Sequence, residues 1–139
     1  MVTTVAEVMT RDPASVRPDQ SLAEAARTMR ETDAGDVLVV DDGQLVGILT
    51  DRDIVIRIVA EDGDTSTAKV REACSAELET VTPDTGIDDA AELMRLRAVR
   101  RLPVVEGSDP VGIVSLGDLA IARDTESVLG QVSAMPGNR

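Results

Sequence analysis

Two stretches of this 139-residue chain set a glycine, a hydroxyl and a carboxylate at the same spacing. They are Gly47-Ile48-Leu49-Thr50-Asp51-Arg52-Asp53 and Gly112-Ile113-Val114-Ser115-Leu116-Gly117-Asp118. One chemistry open to them is self-contained. A Thr or Ser with an acid three residues on has capping-box spacing, in which both side chains satisfy backbone N–H groups at a helix start. Such a cap contributes about 1 kcal/mol, reason enough for the pattern. The second chemistry spends the same atoms on a ligand. Free N–H groups and a hydroxyl at a helix start suit a phosphate. A carboxylate suits a ribose, because it accepts from both the 2′- and 3′-hydroxyls. Gly47 and Gly112 interrupt β-branched strands, which marks close approach of a ligand or of another backbone. Val16, Val81, Ile48 and Ile113 are aliphatic candidates to sandwich a base. The pieces suit a nucleoside phosphate, and at this level both readings stand.

The elements that must position these groups occur twice. Shifted by 65 residues, Val5 to Ile54 lies on Val70 to Leu119 without a gap. Identical pairs include Val5/Val70, Val16/Val81, Pro18/Pro83, Met29/Met94, Gly47/Gly112 and Asp53/Asp118. A repeat of this length is a supersecondary unit, and two copies form one pseudo-twofold body. A cleft between the copies would then occur twice, lined by equivalent residues. In the first copy, an extended segment around Ala14 to Arg17 leads to Ser21 and Glu24, a capping box. Leu22, Ala25, Ala26 and Met29 then fall on one helical face. The second copy repeats this with Thr85, Asp88, Ile87, Ala90, Ala91 and Met94. Val37 to Val40 and Leu45 to Leu49 flank Asp41-Asp42-Gly43-Gln44, a hairpin. Its copy joins Leu102 to Val105 and Val111 to Val114 through a turn at Glu106 to Pro110. A second helix follows from Thr50 or Ser115. The predicted class is α+β: two strand–helix–strand–strand–helix units packed through their sheets, with helices outside. Repeat 1 occupies 1–65 and repeat 2 occupies 66–123. A C-terminal segment, 124–139, reads as a short helix and a frayed tail.

Composition narrows the function. Each half alone is marginal for want of buried surface, so the halves are expected to share a core. Hydrophobic residues make up 42% of the chain and none is aromatic, so that core is aliphatic. With no histidine, the chain lacks the usual general base and the commonest metal ligand. The single cysteine, Cys74, excludes an internal disulfide and reads as a small core or turn residue, with a redox role as the alternative. A net charge of −12 disfavours DNA and anionic membrane as partners. The first residues, Met-Val-Thr-Thr-Val, carry no basic stretch before an apolar run, and a cytoplasmic protein is expected.

The doubled unit, the run Val99-Arg100-Arg101-Leu102-Pro103-Val104-Val105 and the two Gly–x–x–Thr/Ser–x–x–Asp junctions resemble a tandem pair of CBS domains, the Bateman module. The resemblance covers about residues 3 to 123. Leu49 to Arg57 looks most like small stand-alone bacterial pairs, including the actinobacterial hypoxic-response type. The resemblance implies two clefts between the repeats that take AMP, ADP or ATP, less often S-adenosylmethionine or NAD, with no obligatory cofactor or metal. It implies ribose binding by Asp53 and Asp118, and phosphate contacts from Thr50 and Ser115. Base contacts are implied for Ala14, Val16 and Leu38 in one repeat, and for Glu79, Val81 and Pro103 in the other. Glu79 departs from the usual pattern there. Arg100 and Arg101 stand where such modules often carry a basic pair for phosphate, whereas repeat 1 has Gly35 and Asp36. One competent and one weak cleft are therefore expected, and the crossing of the repeats decides which. A disc-like homodimer is implied too, with Ile54, Ile58, Leu119 and Ile121 as its apolar surface.

Three rival functions remain. Asp41/Asp42 and Asp51/Asp53 sit where turns and helix starts favour acids, and nothing pairs them with a base or nucleophile, so catalysis is not expected. Nucleic-acid binding conflicts with the charge and the lack of stacking rings. The third is a ligand-free dimer acting as a protein-interaction module, since fold alone does not fix function. The expected function is a non-catalytic regulator that binds an adenine nucleotide and signals to an unidentified effector protein.

Overall fold

The computed structural model describes residues 3–124. A first turn of helix, α1 (Val5–Val8), leads through short strands β1 (Thr10–Arg11) and β2 (Ser15–Val16) to α2 (Leu22–Thr32). The hairpin β3 (Asp36–Asp41) and β4 (Gln44–Thr50) runs directly into α3 (Asp51–Arg57), which ends in a 3-10 turn, Val59–Glu61. The second copy comprises α4 (Val70–Ala73), α5 (Ile87–Arg97), β5 (Arg101–Glu106) and β6 (Asp109–Ser115). A last helix, α6, covers 116–124. The helix expected beyond Asp124 lies outside the described residues.

Local chemistry accounts for these elements. Ser21 accepts from the Glu24 N–H while the Glu24 carboxylate accepts from Ser21, closing the expected box at the start of α2. The copy differs. Helix α5 starts after Gly86, which has no side chain to cap it, and Thr85 instead accepts from the Thr82 N–H. Thr85 is the counterpart of Gln20, so the expected Thr85–Asp88 box is out of register by one residue. The first hairpin turns at Asp42-Gly43, both at positive φ (52° and 78°), as a tight turn between twisted strands requires. Both hairpins carry a register shift at the same place, Val39/Val40 and Val104/Val105. The second turn is tighter than expected, and Pro110 sits within β6 opposite Val105 at that irregularity, where a missing N–H is tolerated.

The strands form two three-stranded sheets, ordered β2-β3-β4 and β1-β6-β5. In repeat 1, β2 lies parallel to β3, and the Leu38 N–H donates to the Ala14 carbonyl at 3.1 Å. In repeat 2, Pro103 occupies the place of Leu38 and has no N–H to give. The parallel pairing there shrinks to one bridge, Val81 to Val104.

The shared core expected from chain length is instead two aliphatic cores, one per repeat, each completed by the other repeat. Val5 of α1 is fully buried among Ile87, Met94, Leu102 and Leu119. Reciprocally, Val70 and Ala73 of α4 are fully buried with Leu22, Met29, Leu49 and Ile54. Hydrogen bonds fix the exchange: Val5 N to Thr85 O at 2.8 Å and Ala6 N to Pro83 O at 2.9 Å. Their counterparts are Val70 N to Gln20 O at 2.8 Å and Arg71 N to Pro18 O at 3.0 Å. Beyond each exchanged helix the chain pairs with the other repeat's hairpin, Thr10 with Ile113 and Ser75 with Ile48. Ile54, Ile58 and Leu119, expected on a dimer surface, are core residues. Ile121, the fourth residue expected there, is exposed, and the same helices also expose Val55, Ile56 and Leu116.

The exchange explains the strand glycines. A Cβ on Gly112 would stand 2.5 Å from Met9 Sδ and 2.9 Å from the Thr10 carbonyl oxygen. One on Gly47 would meet the Ser75 carbonyl at 2.9 Å and Cys74 Sγ at 3.2 Å. The close approach is by the exchanged chain, through backbone carbonyls and the side chains of Met9 and Cys74. Replacing Gly112 with Val therefore should destabilise the fold by about 1–3 kcal/mol through overpacking. Urea unfolding measures this, and an unchanged midpoint would contradict the close packing.

Candidate functional site

Because β4 and β6 run straight into helices, each Thr/Ser–x–x–Asp motif stands at a strand-to-helix junction on the border between repeats. Both capping boxes form. The Thr50 N–H donates to Asp53 Oδ2 at 3.0 Å, and the Asp53 N–H donates to Thr50 Oγ1 at 3.1 Å. The Ser115 N–H donates to Asp118 Oδ2 at 2.9 Å, and the Asp118 N–H donates to Ser115 Oγ at 3.0 Å. Each box uses one carboxylate oxygen. The other, Oδ1, stays available on Asp118 and on Asp53 lies 4.0 Å from Arg57 Nε.

Each box borders a cleft whose opposite wall belongs to the other repeat. The smaller cleft, about 350 Å3, has Ile113, Ser115 and Asp118 on one side. Ala14, Leu38, Gly35 and Asp36 face them. The larger, about 790 Å3, has Ile48, Thr50 and Asp53 against Glu79, Pro103, Val99 and Arg100. Nearly every lining residue of one cleft has its counterpart 65 positions away in the other, so the two sites are pseudo-equivalent.

The structure thus brings together all but two of the expected residues. Val16 and Val81 do not reach a cleft: they are buried in the two cores, where parallel pairing with β3 and β5 holds them beneath the helices. Residues that sequence reasoning missed include Thr10 and Ser75, a repeated hydroxyl beside each junction, and Asp12 and Glu77, a repeated acid. Their offset of 65 was the available signal. Their place in the site depends on the chain exchange, which no local pattern announces.

Charge separates the clefts. Arg100, Arg52 and Arg57 line only the larger one, alongside Asp51, Asp53, Glu77 and Glu79. Glu79 is held by Arg97 at 2.9 Å, which restrains the acid near the expected base position. The smaller cleft has the carboxylates of Asp12, Asp36 and Asp118. Arg101 borders both clefts and forms an ion pair with Asp36. Cys74 packs against the first core, and burial pushes its thiol above the ordinary range, away from a reactive thiolate.

The profile of the CBS domain matches residues 5–60 and again 70–124. The chain belongs to the CBS domain family. It is 42% identical over 120 residues to the CBS domain-containing protein YhcV of Bacillus subtilis, covering 86% of this chain and 85% of YhcV. It is 36% identical over 120 residues to hypoxic response protein 1 of Mycobacterium tuberculosis, covering 86% and 84%. The solved structure of hypoxic response protein 1 holds two coordinated zinc ions and superposes with a TM-score of 0.75, covering 86% of this chain and 98% of that one. Among the described residues here, no group of three His, Cys, Asp or Glu side chains is placed to share a metal ion. The CBS pair of protein MJ0100, solved with 5′-methylthioadenosine and S-adenosylmethionine, superposes with a TM-score of 0.82 at 25% identity, covering 91% and 99%. Among the described residues, no helix is long and apolar enough to cross a membrane.

Asp36 carries a pH signature. Burial pushes its carboxyl above the ordinary value of 3.8, against the downward pull of Arg101 and with added upward pressure from Asp51 and Asp118. A raised folded-state value means a contribution to stability that is complete below 3.8 and lost as pH rises through the folded-state value. Wild type should therefore lose stability relative to Asp36→Asn as pH rises from about 3 to about 6. Melting temperatures of both proteins across that range provide the check. A wild-type advantage that grows with pH would mean that the Arg101 attraction outweighs desolvation.

Proposed function

We propose that this CBS pair is a non-catalytic regulatory module that binds an adenine nucleotide in the clefts between its repeats. The observation that carries the reading is the composition of each cleft. A ribose-competent carboxylate and a hydroxyl come from one repeat, and a small aliphatic wall comes from the other. In the larger cleft the base lies against Ile48 and Pro103, the ribose hydroxyls bond Asp53, and the phosphate faces Thr50, Arg100 and Arg101. Ala14, Leu38 and Ile113 play the corresponding parts in the smaller cleft, with Asp118 and Ser115. AMP, ADP or ATP fit the cations of the larger cleft best, ahead of S-adenosylmethionine or NAD. The adenosine-type ligands held by the CBS pair of MJ0100 support the ligand class. No further cofactor is required by this reading.

A ligand that touches both walls bridges the repeats, and it shifts their relative orientation only to the extent that the two states bind it differently. The output is read by a second copy of the chain or by an effector protein in the cytoplasm. Exposed Val55, Ile56, Leu116 and Ile121 on α3 and α6 support such a surface.

One observation favours a second reading. Both hydroxyl–carboxylate pairs are already satisfied within their own helices, so the motif is complete as a cap in a ligand-free interaction module. Asp53→Ala separates the two. On the nucleotide reading, the lost charge-assisted hydrogen bonds weaken AMP binding about ten- to hundredfold, while stability falls by only about 1 kcal/mol. Calorimetric titration and urea unfolding measure both, with GTP as the specificity control. Wild type that binds no adenine ligand, or a variant that loses stability and keeps its affinity, leaves the cap as the motif's whole role.

A further inference from the structure

Asp36 and Arg101 occupy the same position in the two repeats, 65 residues apart. Equivalent residues in direct contact must straddle the pseudo-twofold axis, and their ion pair does so. The axis also divides the two clefts. Arg101 reaches both, whereas Asp36 faces only the smaller. The pair is half-buried, with side chains 35% exposed for Arg101 and 17% for Asp36. Asp36 is therefore largely withdrawn from water, while Arg101 keeps about a third of its side chain exposed toward the clefts.

Resting on the nucleotide reading above, we propose that Asp36 is a specificity-determining residue that occupies Arg101 as an internal counter-ion and so couples the two clefts. A phosphate entering the larger cleft has to compete with the Asp36 carboxylate for the Arg101 guanidinium. When Arg101 turns to the phosphate, Asp36 is left facing the smaller cleft without its cation. That cleft then holds Asp12, Asp36 and Asp118 with no guanidinium turned to it. It rejects a second phosphorylated ligand and retains an uncharged or cationic adenosine derivative. Repeat identity at this one position thus converts two pseudo-equivalent clefts into a matched pair: an anion in one disfavours an anion in the other. Arg100 does not share this role, since it borders only the larger cleft.

The test is a double-variant cycle read by calorimetry with AMP and adenosine. The proteins are wild type, Asp36→Asn, Arg101→Gln and the combination, each checked for native circular dichroism. Asp36→Asn should strengthen AMP binding about tenfold by releasing Arg101, with adenosine affinity unchanged. Wild type should bind one AMP per chain and Asp36→Asn should bind two. In the Arg101→Gln background, Asp36→Asn should change AMP affinity by about twofold at most, because no guanidinium remains to release. An AMP-to-adenosine ratio untouched by Asp36→Asn overturns the inference and leaves the nucleotide reading standing. An equal gain with and without Arg101 also overturns it, by making Asp36 a simple repulsive charge. Wild type that binds neither ligand overturns both.

Discussion

Reciprocal insertion of Val5 and Val70, each into the core of the opposite repeat, is the constraint on which the rest of this structure depends. Without aromatic side chains, neither half has the bulk to close its own core, so the missing volume arrives from the other copy. The exchanged helices also dictate where the following chain goes. Thr10 and Ser75 are laid against the hairpins of the opposite repeats, and Gly112 and Gly47 must have no side chains for them to fit. The clefts are the direct result. They open where an exchanged segment, a strand-to-helix junction and the opposite hairpin meet, so each of the two draws its walls from both repeats.

A twofold arrangement brings some equivalent residues face to face, and a perfect repeat would set like charges against each other on the axis. The two copies differ at that point, Asp36 meeting Arg101. The same divergence, extended by Gly35 against Arg100, distributes cations unequally between otherwise equivalent clefts. Glu79 replacing the counterpart Ala14, restrained by Arg97, adds to the inequality. Symmetry builds the two sites, and departures from symmetry distinguish them.

Much of this was legible in the residues because it follows from local chemistry. The hairpins announce themselves through paired aliphatic runs and, in the first copy, through Asp42-Gly43 between them. The capping boxes at Thr50 and Ser115 follow from spacing alone, and the offset of 65 locates two equivalent sites. What escaped is long-range. The face of α3 was misjudged because Ile54 and Ile58 pack on the first core, while Val55 and Ile56 point outward. Val16 and Val81 read as base contacts, yet strand pairing turns them into the cores. The expected cap at Thr85 failed by one residue, since Gly86 is the true counterpart of Ser21. Glycine in a strand signalled a close approach, but only the exchange reveals that the approaching group is the chain itself. The crossing of the repeats, which gives the larger cleft Arg100 and leaves Arg101 between the two, is likewise a tertiary fact.

The direct measurement is methyl-detected NMR of the full chain during titration with AMP, well suited to a protein rich in Ile, Leu and Val. Saturable shifts of Ile48 and Val99 in the larger cleft, larger than any at Val55, Ile56 and Ile121 on the outer faces, are the result this account predicts. Shifts confined to the outer faces, or no shifts at millimolar AMP, would contradict nucleotide binding between the repeats.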